Sequence, residues 1–380
     1  MPSTRSLLKI KQFDLTSCRG ESNIAQWRRM KKSPLHSLHQ RLGASMAPTA
    51  GWNMPRQYTD LIREHLAARA ACGLFDISHL GKFRIVGKEV PAWLDAHLSN
   101  SIADCRDGQI QRTLMLRQDG VILDRMTLLR ENQERFFLIG SASLADADFD
   151  ILSRQVQNAA IEITNETDSL CILALTGPDS KRVLASTWHE IPIPAQGAFC
   201  TFRRGNQRCM LLRSGLMAPD SFELICPASA GIAWFEQLMV AGAVPCGQIT
   251  GEYLRIRNAR ANMENDINHL TPAAGSLQHL CSENKNFKGA DAIRNDSPPT
   301  HRIISLRSTA PGMTFEPGSE VRNLDGYVVG NVTSATQAAA GGHSYAMAYV
   351  STTHTAPGTR LHVTSGGSSV PAMVEDTEVC

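Results

Sequence analysis

The 380-residue sequence predicts an α+β chain in three parts: two ferredoxin-like α+β units, then a small all-β barrel or jelly roll. Three observations predict it. Helical and strand-like spacings alternate from Asp60 to about residue 165. A similar alternation restarts near Leu170. After about Ser297, marked by Pro298 and Pro299, helical spacing gives way to short strands parted by Gly, Pro and Ser. The expected parts are 1–32 (over-extended or disordered), 33–168, 169–296 and 297–374.

In the first unit, "DLIREHLAARAACG" has helical spacing. Leu61, Ile62, Leu66 and Ala70 share a face, Asp60 caps and Gly73 stops it. "KFRIVG" alternates as a half-buried strand. "VPAWLDAHL" returns to helical spacing with Trp93, Leu94 and Leu98 inward. "QRTLMLR", "VILDRMTLLR" and "RFFLIG" read as three strands parted by turns at 118–120 and 131–133. A helix over 144–156 and the strand "IEIT" complete the unit. The second opens with the strand "CILALTGP" and the helix "DSKRVLAS". A hairpin turns at Gly205-Asn206, and the strand "SFELICP" leads to the helix "GIAWFEQLMVAG". The last part offers "HRIISLRS", "SEVRNL", "YVVGNVTSAT", "YAMAYVS" and "TRLHVTS" as strands.

Hydrophobic content of 42% and 19% charged residues support packed cores. A net charge of +2 gives no argument for a nucleic-acid partner, and no apolar run is long enough to span a membrane. The ten cysteines are scattered without a C-x-x-C pair, as expected of reduced, buried thiols, and no metal site is assigned. The basic leader, with Arg5, Lys9, Lys11 and Arg19, has the flavour of a transit peptide, which would place the protein in the mitochondrial matrix. Asp14 and Glu21 dilute it, and "MKKSPLHSLHQRLGA" from Met30 reads like a bacterial start, so the expectation is cytoplasmic.

"GLFDISHLGKF" brings Asp76, Ser78 and His79 within four positions. Residues at i, i+2 and i+3 across a helix-to-strand turn do not converge on one point, so the expected role is a polar turn rather than a triad.

The stretch "AGWNMPRQYTDLIREHLAARAACGLFDISHLGKF" closely resembles the N-terminal signature of the aminomethyltransferase family, the T-protein of the glycine cleavage system and its folate-binding relatives. "DGVILD", "ALTGPDSKRVL", "NDINHLTPAAGSL", "GYVVGNVTSAT" and "AMAYV" extend the likeness over Ser33 to Val363. The resemblance implies two α+β domains and a C-terminal β domain in a ring around a folate pocket. It also implies tetrahydrofolate as co-substrate and lipoylated H-protein as partner. The implied reaction passes the aminomethyl carbon from the lipoyl arm to tetrahydrofolate and releases ammonia.

By the same resemblance Glu223, in "SFELICP", is the pterin-binding carboxylate, which would accept two parallel N–H donors in fork geometry. On alternation alone, Glu223 equally suits a solvent-facing position. The family's acidic residue beside the reacting nitrogen falls at Ser101, which carries no charge; Asp104, three residues on, is the candidate substitute. Further departures put Leu216 where a ring-stacking tyrosine stands, Ala218-Pro219 for Gly-Glu, Arg112 for a tyrosine and Gly251 for a pterin-contacting arginine. Gly140-Ser141 stands for Asn-Ala, and Glu316 loosely for an arginine; Arg255 matches a second, structural arginine. The expected folate-contacting set is Glu223, Ser101, Leu216 and Arg112. The leading expectation is an aminomethyltransferase with an atypical site; the alternative is a catalytically degenerate or altered-substrate folate-binding relative. Kinship with iron–sulfur maturation proteins is weak, because Ala290 rather than a cysteine follows Lys288-Gly289.

Overall fold

The computed structural model describes residues 30–156, 160–218, 221–336 and 342–380; the expected leader up to residue 29, and Pro219, lie outside the described residues. The first α+β unit is built on a five-stranded antiparallel sheet. Its order is Ile110–Leu116, Ile122–Asn132, Arg135–Gly140, Gly81–Val86, Glu162–Asn165. Alternation sorts its faces: Phe83, Ile85, Leu128, Phe136 and Leu138 pack under the helices Val90–His97 and Ala145–Gln155. On the other face, Leu129, Phe137 and Ile139 meet Ile172, Ala174 and Ile225 of the second sheet, so the two sheets bury one core between them.

The second sheet has six strands, ordered Phe199–Arg204, Gln207–Leu212, Phe222–Pro227, Leu170–Thr176, Gly73–Asp76, Val244–Pro245. Its far face carries the helices Ser180–Thr187 and Ala228–Val240, with Trp234, Phe235 and Leu238 inward. The sequence assigns Gly73–Asp76 to the first unit, yet this strand pairs with Leu170–Thr176. Leu35 and Leu38, from the start of the chain, also pack in the second unit's core. The short links around residue 73 gave no sign of this crossing, because pairing partners 100 residues apart leave no local pattern.

The helix Leu61–Ala70 begins as expected, with the Asp60 carboxylate accepting from Arg63 N at 2.9 Å. Its buried side is not the one that apolar spacing suggests: Ile62 and Leu66 are exposed, while Glu64, His65, Ala67 and Ala68 are buried. Glu64 decides this. Its carboxylate accepts from the backbone of Tyr58, Thr59 and Gly247 and from the Thr250 hydroxyl, tying the helix to two neighbouring segments.

The last part is a closed barrel rather than a jelly roll. Its order is His301–Ser308, Tyr345–Ser351, Val328–Ala335, Glu320–Arg322, Arg360–Ser365, Ser368–Val374. Sequence patterning missed the last strand, which carries Pro371, and the hairpin strands Ser45–Thr49 and Trp52–Gln57, which carry Pro48 and Pro55. No helix among the described residues is long and apolar enough to cross a membrane.

Candidate functional site

A cavity of about 220 Å³ takes its lining from both sheets, with Arg125 on the first and Phe75 on the second. Phe75, Ile77, Leu216 and Met217 form apolar walls; His79, Arg125, Arg255 and Arg260 bring charge or polarity.

Asp76, Ser78 and His79 do not assemble into a triad. Asp76 instead accepts from Ser33 Oγ, from Ser78 N at 2.9 Å and from His39 Nε2 at 2.8 Å; Tyr58 hydroxyl meets His39 Nδ1 at 2.7 Å. Burial pushes the Asp76 carboxyl up, but the His39 hydrogen bond and charge, with Ser33 and Ser78, overcome it and hold the group at about 2. Ser78 Oγ accepts from Ile172 N at 3.1 Å. His79 turns to the cavity with no partner on Nδ1, and burial lowers its imidazole to about 4, so it is neutral. The Tyr58–His39–Asp76–Ser33 chain was not legible in the sequence, since His39 and Asp76 stand 37 positions apart.

Glu223 is fully buried, and its carboxylate is taken up by its own chain. One oxygen accepts from Ser214 N at 3.3 Å and Ser214 Oγ at 2.6 Å; the other accepts from Leu216 N at 3.1 Å and Ser221 Oγ at 2.6 Å. Four donors fill the lone-pair positions that two pterin N–H groups would need. Burial raises its pKa, with the Ser214 and Ser221 bonds opposing. Arg112 holds the same loop, donating to Ser214 O at 3.4 Å and Gly215 O at 3.2 Å. Of the four expected folate contacts only Leu216 lines the cavity; Glu223 and Arg112 stand behind it and shape the 214–216 loop.

Ser101 lies outside the cavity lining, at the start of the short turn Ile102–Asp104. Its backbone N donates to Asn100 Oδ1 at 2.9 Å, and its carbonyl accepts from Gln111 Nε2 at 2.8 Å. Asp104 is exposed and outside the lining, so its carboxylate does not replace the missing one there. Glu316 is exposed on the barrel.

Gly251 does line the cavity. A Cβ added there would stand 3.3 Å from Met217 Cε, so methionine occupies the space into which a longer side chain would grow. Arg255 is structural, donating to Glu252, to Arg260 O at 2.7 Å and to Asp266 Oδ2 at 2.6 Å. At Gly140 a Cβ would fall 2.9 Å from Asp124 Oδ2 and 3.2 Å from Asp148 Oδ2. This glycine therefore leaves room for a buried pair of carboxyls. Ser141, on the cavity wall, donates to Asp124 from its amide at 2.8 Å and its hydroxyl at 2.6 Å. Burial and the neighbouring Asp124 push Asp148 up to about 10, so the pair holds a proton at neutral pH.

Residues 35–285 match the GCVT N-terminal domain family, and residues 301–379 match the glycine cleavage T-protein C-terminal barrel domain family. The chain belongs to the aminomethyltransferase family. The aminomethyltransferase of Chlorobaculum tepidum is 32% identical over 370 residues, covering 91% of this chain and 97% of that one. That of Symbiobacterium thermophilum is 28% identical over 365 residues, covering 92% and 96%. The crystal structure of the glycine cleavage system aminomethyltransferase T from Bartonella henselae superposes with a TM-score of 0.84 at 26% identity, covering 92% of this chain and 98% of that one. Kinship accounts for the scaffold; it does not by itself account for a cavity whose polar groups are set as described above.

Proposed function

We infer that the chain is a tetrahydrofolate-dependent aminomethyltransferase of the glycine cleavage system. It would move the aminomethyl carbon of lipoylated H-protein to tetrahydrofolate with release of ammonia. One observation carries the reading: both family domains occur in tandem on one chain that superposes nearly end to end on an aminomethyltransferase. The apolar walls Phe75, Leu216 and Met217 suit the flat face of a pterin. The pterin's donor edge is not matched in the same way, because the Glu223 oxygens are already filled and Glu252 is tied to Arg255. In this reading Leu216 touches the ring, while Arg112 and Glu223 are positioning residues that hold the 214–216 loop. By the resemblance Ser101 falls at the position of a transfer-assisting carboxylate, although it lies outside the cavity lining.

A second reading, a catalytically degenerate folate-binding relative, is favoured by that saturated Glu223 together with the uncharged Ser101. The test is a titration of the full chain with tetrahydrofolate, followed by turnover with aminomethylated H-protein. The first reading expects binding with turnover, and a gain of about tenfold or more in rate for Ser101→Asp, within the range for a charged group at a reacting centre. Binding without turnover, unrescued by Ser101→Asp, establishes the second reading; no binding removes both.

A further inference from the structure

The helix Leu61–Ala70 carries its larger apolar side chains outward. Positions 62, 63, 66, 69 and 70 share one face at helical spacing, and all five are exposed. Ile62 is 45% exposed, and Leu66, one turn on, is 56% exposed. Arg63 and Arg69 stand beside them, and neither has an ion-pair partner among the described residues. The face holds no acid, because the one glutamate of the helix, Glu64, turns inward to Gly247 N and Thr250 Oγ1. His65 also turns inward and meets Tyr253 edge-on, with 4.1 Å between ring centres. These contacts seat the helix on its neighbour, Gln248–Arg257, whose Gln248, Gly251 and Glu252 line the cavity. Other exposed apolar residues lack this setting. Ile193 stands alone, and Leu324 and Tyr327 flank a turn beside Arg322, which is paired with Glu320.

Single apolar side chains on a surface need no explanation; two on one helical stripe, framed by unpaired arginines, mark an interaction surface. Charge selects what fits it. Two cations without an anion suit a protein surface that sets carboxylates around an apolar spot. A second copy of the chain does not fit, since a two-fold contact would set Arg63 and Arg69 against their own copies. A carrier protein must rest outside the cavity and send its group inward, and this face is one helix removed from the cavity wall. We propose that the outer face of Leu61–Ala70, with Ile62 and Leu66 at its centre and Arg63 and Arg69 at its rim, docks an acidic surface of the protein that carries the aminomethyl group. That this carrier is lipoylated H-protein rests on the proposed function; the face itself does not.

The test measures binding of lipoylated H-protein to the full chain. Separately, it measures turnover of free aminomethylated dihydrolipoamide with tetrahydrofolate, which needs no docked protein. The expected result is saturable H-protein binding, weakened at least about tenfold by Ile62→Glu and by Leu66→Glu. Arg69→Glu should slow association and flatten its dependence on salt. Ile193→Glu should leave binding unchanged, since Ile193 lies in the link to Phe199–Arg204, at the far edge of the second sheet from Gly73–Asp76. None of the four should change the free-donor rate. Should a glutamate unsettle the helix, Leu66→Gln keeps helix propensity while removing the apolar contact, and is expected to weaken binding at least about threefold. Weakened binding by variants of a parent that shows no turnover still supports the face and counts against the reaction alone. Binding that survives both Ile62→Glu and Leu66→Glu overturns the docking face and leaves the proposed function standing. A parent that turns over the free donor without binding H-protein does the same, and failure of both measurements overturns face and function together. A parent dimer that Leu66→Glu splits into monomers in sedimentation gives the face to a second copy and overturns the proposal.

Discussion

The loop at 214–216 separates two regions that treat buried charge in opposite ways. Behind it, Glu223 is an anion with every oxygen position filled by Ser214, Leu216 and Ser221. In front of it, Arg125 and Arg260 are cations with donors left over. Both arrangements take charge out of water, but only the first restores the lost hydration from the chain itself. The difference teaches that the anion belongs to the architecture of the loop, while the two cations keep donors that no group among the described residues meets. A third solution sits below Ser141, where Asp124 and Asp148 avoid two adjacent negative charges by keeping a proton.

The sharpest way to break the contrast is Glu223→Ala. If the carboxylate is structural, the substitution takes the acceptor from Ser214 N and from the Ser214 and Ser221 hydroxyls, leaves Leu216 N only Ser214 Oγ, and costs about 3–5 kcal/mol in urea denaturation. A loss below about 1 kcal/mol would show that the carboxylate is free for a ligand and that the contrast is false.

The carboxyl pair gives a pH signature. Folded Asp148 keeps its proton up to about pH 10, whereas an unfolded aspartate releases it near pH 4. The folded state therefore binds the extra proton. Its stabilising contribution is complete below about pH 4 and drains as pH rises towards 10, by at most about 1.4 kcal/mol per unit. Asp148→Asn keeps the shape without the titration. Its melting temperature should vary less than the parent's above neutrality and exceed it in mild alkali; parallel profiles would rule out a shared proton.

The smallest expected effect tests the cavity rim. Ala50 has φ +48° in the turn it shares with Gly51, between Ser45–Thr49 and Trp52–Gln57. Ala50→Gly should relieve left-handed strain and stabilise the chain by about 0.5 kcal/mol, after the entropic cost of the added glycine.

Much of the architecture could be read from residue order. The alternation in "KFRIVG" marked the strand Gly81–Val86, and the spacing of "VPAWLDAHL" put Leu94 and Leu98 inward, where they are buried, because period and polarity are local properties. Ile62 and Leu66 misled, because the buried face of their helix is set by Glu64 reaching Gly247 and Thr250 across the fold. The site was harder still. The sequence picked out Glu223 as a charged group in an apolar strand, but its donors are supplied by how the 214–216 loop closes. Arg125 and Arg260 gave no signal, since an arginine in a strand or a loop is ordinarily solvated.

The sequence by itself determined most strands and helices, the three-part order of the chain and its family, all carried by short-range pattern and motif; the proline-bearing strands Ser45–Thr49, Trp52–Gln57 and Ser368–Val374 escaped it. Only the tertiary structure decided that Gly73–Asp76 joins the second sheet, that His39 meets Asp76, and which buried charges are satisfied. The physical reason is the same each time. Pairing and desolvation depend on groups brought together from distant positions, and those distances exist only once the backbone has closed on itself.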